Sequence, residues 1–257
     1  MSGVSRKGRV QEHFERVAPV YDGWKRRAWY YYRWLARILG DEVPVGARVL
    51  DVGCGTGTLL DAVRPAYGVG VDLSPAMVTL ARGRFPRLQF RVGDAEALEP
   101  GETFDWVMMV DLLEHLGDPP SALASARRAC HPESRLIVLA ANPAWQSILH
   151  VAERLGLKMP EGDHRWLGAE EIRRLLHETG FDVIREDRRV LLPKWIPWLS
   201  RLVNEHLSRL AALRRWCLVL VFVARPRMPS GIPRMPSGIP RMPSGIPKVP
   251  SPVPGPD

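Results

Sequence analysis

The chain has 257 residues, 46% of them hydrophobic and 25% charged, a globular composition that excludes wholesale disorder and a fibrous fold. Three cysteines (Cys54, Cys130 and Cys217), with no CxxC pair, argue against a disulfide scaffold and a thiolate zinc site and point to a reducing compartment. The net charge of +8 is divided unevenly: residues 1–40 carry +6, residues 41–180 carry −6 and residues 181–257 carry +8, with no nucleic-acid reading motif beside either basic end.

Residues 1–44 read as an N-terminal helical cap. Phe14, Val17 and Tyr21 share one apolar face at helical spacing. They are followed by Lys25-Arg26-Arg27-Ala28-Trp29-Tyr30-Tyr31-Tyr32-Arg33-Trp34, where cations and large aromatics are concentrated. Such side chains suit an anionic membrane surface, and equally a helix packed on its own domain. No apolar core precedes a cleavage site, so no secretory signal is expected. The longest uncharged apolar run, Trp216–Ala224, is nine residues, against about 20 for a bilayer span. The reading is a cytoplasmic protein, with peripheral contact at the inner membrane face as its alternative.

From residue 45 to 225 short apolar runs alternate with helical stretches. Arg48–Val52, Tyr67–Val71, Leu88–Val92, Trp106–Val110 and Leu136–Ala140 read as buried parallel strands, with crossover helices at Leu59–Val63, Ala76–Arg84 and Pro120–Cys130. Ala169–Thr179 reads as an amphipathic helix ended by Gly180, and Phe181–Val190 and Trp216–Ala224 as two more strands. The pattern predicts an α/β fold with a doubly wound, seven-stranded sheet. Between the last two strands, Trp198, Leu199, Leu202, Val203, Leu207, Leu210 and Leu213 lie at one helical face, so residues 193–215 are expected to form a helical lid. From Pro226 to Asp257, 11 of 24 prolines and three tandem RMPSGIP repeats predict a disordered tail, with a proline-rich docking ligand as the alternative.

The chemistry lies at strand ends. After the first strand comes Asp51-Val52-Gly53-Cys54-Gly55-Thr56-Gly57, a turn that lets a ligand rest on the backbone where a Cβ would collide. The G-x-G-x-G spacing and the carboxylate of Asp51 suit an amine-bearing ligand and argue against a dinucleotide pyrophosphate. Asp72 ends the second strand, Asp94 and Ala95 the third, and Asp111 the fourth. Open α/β sheets bind ligands at such carboxyl ends.

In order and spacing VLDVGCGTG, GVDLS, GDAEAL and FDWVMMVDLLEHLGDPPSAL resemble the successive motifs of the class I S-adenosylmethionine-dependent methyltransferases, over roughly residues 45–224. That resemblance implies a Rossmann-like sheet of order 3-2-1-4-5-7-6 with the last strand antiparallel, and S-adenosylmethionine as cofactor. It implies that Asp51, Gly53 and Gly55 face the methionine part, Asp72 the ribose, Asp94 with Ala95 the adenine, and that Asp111 lies beside the methionine end. Gly57 and Leu73 complete the cofactor-binding set, together with Tyr21, whose HFERVAPVYDGW context resembles the closing segment of quinone- and lipid-biosynthesis methyltransferases. Residues 142–181 resemble the acceptor side of ubiquinone-biosynthesis O-methyltransferases. By that likeness His115 and His164 are the candidate general bases. Asp111, Glu114 and His115 match a cluster that holds a divalent cation in those enzymes, but with aspartate for the first glutamate, and no metal is assigned. The expected reaction is O-methylation of a small hydrophobic acceptor such as a quinone, polyketide or lipid precursor. Carbon or nitrogen acceptors and a non-catalytic adapter role are the alternatives, and no nucleic-acid partner is expected.

Overall fold

The structure, a computed structural model, describes residues 5–227. Two helices, α1 (Arg6–Arg27) and α2 (Trp29–Glu42), precede an alternating series: β1 (Arg48–Val52), α3 (Thr58–Ala62), β2 (Tyr67–Asp72), α4 (Pro75–Arg84), β3 (Gln89–Val92), β4 (Phe104–Val110), α5 (Pro119–Arg128) and β5 (Cys130–Ala141). There follow α6 (Gln146–Arg154), α7 (Ala169–Glu178), β6 (Phe181–Arg189), α8 (Leu199–Glu205), α9 (Ala211–Arg214) and β7 (Val219–Pro226).

The strands form a seven-stranded sheet of order β3-β2-β1-β4-β5-β7-β6. β7 runs antiparallel between β5 and β6, as the motif resemblance implies. Both faces are buried, which is why the central strands read as continuous apolar runs. Val107 and Met109 of β4, Val138 of β5 and Phe222 of β7 point into one layer with α5 and α7; Met108, Ile137 and Val221 point into the other, under α2, α3 and α4. The edge strand β6 carries Arg185, Glu186, Asp187, Arg188 and Arg189 in succession, charges that discourage further strand pairing.

Helix caps follow local chemistry. Ser74 Oγ accepts from Met77 N with Pro75 in the first turn of α4, and Asp118 Oδ1 accepts from Ser121 N at the start of α5. Gly180, at φ +83°, takes the left-handed position just past α7.

Three sequence expectations need correction. β5 begins at Cys130, six residues early, because Ser134 Oγ donates to Phe104 O at 2.6 Å and accepts from His131 N, carrying the pairing with β4 across an irregular stretch. The expected lid at 193–215 is a broken series of short helices. Asn204 turns inward, accepting from Leu191 N and Leu192 N and donating to Leu192 O, and α8 ends at Glu205. The insert packs on α2, where Asn204 Nδ2 donates to Tyr30 OH and Arg37 pairs with Glu205. Finally, β7 extends through Pro226, so the tail boundary at 226 falls within a strand. Residues 228–257, with the RMPSGIP repeats, lie outside the described residues.

Candidate functional site

A cavity of about 140 Å³ opens at the carboxyl ends of β1–β4, roofed by α1. Asp51, Gly53 and Gly55 line its β1 side, Asp72 and Leu73 its β2 side, Asp94 and Ala95 its β3 side, and Asp111 and His115 its β4 side. Lys7, Phe14, Tyr21 and Lys25 enter from α1, and Met159 and Glu161 from the segment after α6.

The glycine turn is shaped by collisions as well as by φ. Gly53 (φ +77°) would place a Cβ 2.7 Å from Leu112 Cδ1, a collision, whereas a Cβ on Gly55 (φ +51°) would sit at ordinary contact distance, 3.5 Å, from the Tyr21 hydroxyl, so there the positive φ alone calls for glycine. Gly57 is different. It does not line the cavity; its Cβ would meet Phe90 at 2.6 Å, so its role is to let α3 begin against β3, and the expectation of cofactor contact is corrected.

Asp72 Oδ2 accepts from Gly55 N at 2.7 Å and Oδ1 accepts from Ser74 N at 3.0 Å. Burial nevertheless holds its pKa above the usual carboxylate value against these amides. Asp51 is 3% exposed, and burial raises its pKa to about 7, with Asp72 adding to the effect and Lys25 opposing it. At the other end, Lys7 Nζ bridges Asp94 Oδ2 (2.5 Å) and Glu96 Oε2 (2.7 Å). Glu96 Oε1 accepts from Gly117 N and Asp118 N. Helix α1 is also tied down by Glu15, which accepts from Ser74 Oγ (2.7 Å), and by Asp22, which accepts from Thr56 Oγ1 (2.9 Å) and pairs with Arg84 (2.8 Å).

A polar cluster lies beside β4. Asp111 has φ +49°; its Oδ2 accepts from the Tyr31 hydroxyl at 3.3 Å, while Oδ1 is buried without a partner. Burial, with Glu161 nearby, raises its pKa to about 6. Glu114 is buried and also shifted upward by burial and by Asp111. Burial drives the His115 pKa down to about 4, so the ring is neutral near pH 7. His115 Nδ1 lies 3.2 Å from Asp163 O; a carbonyl can only accept, so Nδ1 carries the hydrogen and Nε2 the lone pair. Burial disfavours the Glu161 charge, but His164 and Lys158 outweigh it and lower its pKa to about 2. His164 does not line the cavity. Its ring packs edge-on behind His115 at 5.3 Å, with Nδ1 3.1 Å from Glu161 Oε2, so direct contact with an acceptor is corrected to a supporting position. No three His, Cys, Asp or Glu among the described residues converge as metal ligands.

Lys7, Lys25, Tyr32, Met159 and Glu161 were not among the candidates read from sequence. Lys25 could have been found, since it follows Tyr21 by four residues on the helix face that meets the cavity. Glu161 stands three residues before His164, but no periodic signal marks that loop.

The profile of the methyltransferase-domain family matches residues 23–186, most of the chain. A ubiquinone biosynthesis O-methyltransferase of Rhodopseudomonas palustris is 27% identical over 165 residues, covering 60% of this chain and 65% of that one, so the alignment spans less than two thirds of that relative's length. A demethylmenaquinone methyltransferase of Tropheryma whipplei is 33% identical over 50% of this chain and 57% of its own. Among solved structures, an S-adenosylmethionine-dependent methyltransferase of Thermotoga maritima superposes with a TM-score of 0.64 at 21% identity, covering 84% of this chain and 99% of its own, a likeness of fold. With the sheet order, the glycine turn and the acidic strand ends already in place, the chain belongs to the class I S-adenosylmethionine-dependent methyltransferases.

Proposed function

We propose that the protein transfers a methyl group from S-adenosylmethionine to an oxygen of a small hydrophobic acceptor, of the quinone, polyketide or lipid-precursor class. The cofactor carries an amine, a sulfonium and two ribose hydroxyls. The turn at Gly53 and Gly55, the buried carboxylates Asp51 and Asp72, and the unpartnered Asp111 Oδ1 are groups that suit it. When bound, it supplies an electrophilic methyl on sulfur for in-line displacement.

The observation that carries the oxygen assignment is His115. Its lone pair is fixed on Nε2 by the Asp163 carbonyl, on a cavity wall shared with Phe14, Leu112, Leu116 and Met159. A neutral imidazole so placed accepts a hydrogen bond from an acceptor hydroxyl, aims the oxygen lone pair and takes the proton as charge leaves the oxygen. Glu161, held ionised by His164 and Lys158, favours the transient imidazolium. Tyr31 steadies Asp111 on the same wall. The test is mass spectrometry of products after incubation with catechol, phenol, amine and activated-carbon acceptors. Methylation confined to hydroxyl acceptors supports the proposal; methylation confined to amines or carbon overturns the oxygen assignment.

A membrane-contacting face accompanies this reading. Trp198 is 77% exposed with φ +52°, an unfavourable backbone for a bulky residue, and Trp29, Trp195, Ile196 and Leu202 are exposed on the same α2–insert side. Arg33, Arg37 and Arg201 line the hollow beside them, with Trp34, Trp195 and Glu205, which pairs with Arg37 and Arg201 and leaves Arg33 to carry the local positive charge. Exposed tryptophans rimmed by arginines fit an anionic lipid surface. No helix among the described residues is long and apolar enough to cross a membrane. Co-sedimentation with anionic but not neutral vesicles, released by salt, supports this face; equal recovery in both supernatants removes it.

A further inference from the structure

Between α2, β6 and the insert lies a second hollow, of about 560 Å³, and among the described residues none lines both it and the cofactor cavity. Its walls carry Arg37 from α2, Arg185, Arg188 and Arg189 from β6, and Arg214 from α9. Of its four carboxylates, Glu186 is held by Arg173, Glu205 by Arg37 and Arg201, and Asp41 is exposed. Asp187 alone meets three guanidiniums, those of Arg185, Arg189 and Arg214, and accepts the Arg188 amide as well. Burial disfavours the Asp187 charge, but Arg189, the Arg188 amide and Arg214 outweigh it and hold its pKa below the usual carboxylate value.

A guanidinium offers five N–H groups, and Asp187 takes few of them. Arg189 donates through Nε at 2.6 Å and Arg214 through Nη2 at 2.5 Å, and among the described residues neither side chain makes another hydrogen bond. Arg185 is engaged twice, by Glu42 and by Asp187. A charged edge strand discourages pairing with one arginine for each carboxylate; three on one leave positive charge that a second anion would settle. A carboxylate would only repeat what Asp187 already supplies. A phosphate monoester carries about −1.5 to −2 charge near pH 7 and three acceptor oxygens, enough to meet two guanidiniums side by side.

We infer that this hollow binds a phosphate monoester through the free N–H groups of Arg189 and Arg214, with Asp187 keeping both guanidiniums in place. The assignment goes beyond methyl transfer and does not depend on it. Trp34, Arg37 and Glu205 also line the hollow that Trp195 closes on the exposed tryptophan side. The monoester is therefore a lipid headgroup or a free phosphate ester, two sources of the same oxygens.

The experiment titrates the full chain with glycerol 3-phosphate at fixed ionic strength. Beside it, recovery is measured on phosphatidylcholine vesicles carrying phosphatidic acid, a monoester, or phosphatidylglycerol, a diester, at matched surface charge. Arg189→Gln with Arg214→Gln should weaken the monoester by about 10–100-fold, the loss typical of charge-assisted hydrogen bonds. Arg154→Gln with Arg174→Gln, which removes the same charge at exposed positions of α6 and α7, should leave it within about twofold. On the wild type alone, glycerol 3-phosphate should raise Tm above that in chloride of equal ionic strength, a result that needs no variant to fold. Preference for phosphatidic acid assigns the site to a headgroup; binding of the soluble ester with equal recovery on both vesicles assigns it to a free ester. No saturable binding of the soluble ester together with equal recovery on both vesicles overturns the proposal. So does an affinity that the first pair of substitutions leaves unchanged, or that both pairs weaken equally.

Discussion

The amide of Gly55 donates to Asp72 Oδ2 at 2.7 Å, so the carboxylate assigned to the ribose also fixes the glycine turn across from it. One carboxyl group thereby sets the conformation of the loop and offers its remaining lone pairs to a ligand. Asp72→Ala should weaken S-adenosylhomocysteine by about 10–100-fold, since charged hydrogen bonds are worth about 1.5–3 kcal/mol. It should also lower Tm, because Gly55 N and Ser74 N both lose their acceptor. Calorimetry and a thermal melt check the two effects; unchanged affinity would remove Asp72 from the ribose site.

Asp51 makes stability depend on pH in a defined window. Its folded pKa of about 7 lies above its ordinary value, so the folded state holds a proton the unfolded chain has released. The favourable contribution is complete below about pH 4 and is lost as pH rises through 7. Asp51→Asn should raise the ligand-free Tm at pH 8, leave it nearly unchanged at pH 4, and weaken the cofactor. Melts at the two pH values test this. A gain at pH 4 alone would show the sign to be wrong.

Replacing His115 should separate binding from turnover. With a pKa near 4 it stays neutral from pH 6 to 8, so its own titration imposes no inflection there. His115→Ala should lower kcat by about 10²–10⁴-fold, the range for a lost general base, with cofactor affinity nearly unchanged. Steady-state rates beside calorimetry check it. A loss confined to KM would recast His115 as a packing residue.

Two glycines offer a paired test of backbone against packing. A Cβ added at Gly46 (φ +84°) would meet nothing within 4 Å, so Gly46→Ala should cost only the strain of a left-handed residue, about 1 kcal/mol. At Gly57 the same change adds a collision with Phe90, and the loss should reach about 2–4 kcal/mol. Urea unfolding of both variants decides; equal losses would deny Phe90 its part.

Much of the sheet was legible because its strands are buried on both faces and flanked by glycine and acidic turns. The four strand ends that line the cavity could be placed from Asp51, Asp72, Asp94 and Asp111 alone. What stayed hidden was set by tertiary contacts. Leu207, Leu210 and Leu213 share a helical period with Leu199 and Leu202, yet the inward turn of Asn204 breaks the helix, a competition that periodicity does not register. The aromatic run after Lys25 divides among three surroundings: Tyr30 and Trp34 are buried under the insert, Tyr31 reaches Asp111, and Trp29 remains exposed. Alternation on one helix cannot distinguish these. Gly57 looked like its neighbours in the turn, and only the position of Phe90 separates it from them.

The roof that α1 forms over a cavity of about 140 Å³ bears on traffic. Ligand sites usually enclose about 300–1,000 Å³, so a cavity of this size takes a cofactor only if its walls, α1 among them, move outward. The contacts that hold α1 at Asp94, Ser74 and Thr56 are the ones an outward movement of that helix would strain. With turnover limited by that movement, added viscogen should slow it even where the chemistry of the acceptor is made easier; a rate indifferent to viscogen would place the slow step elsewhere.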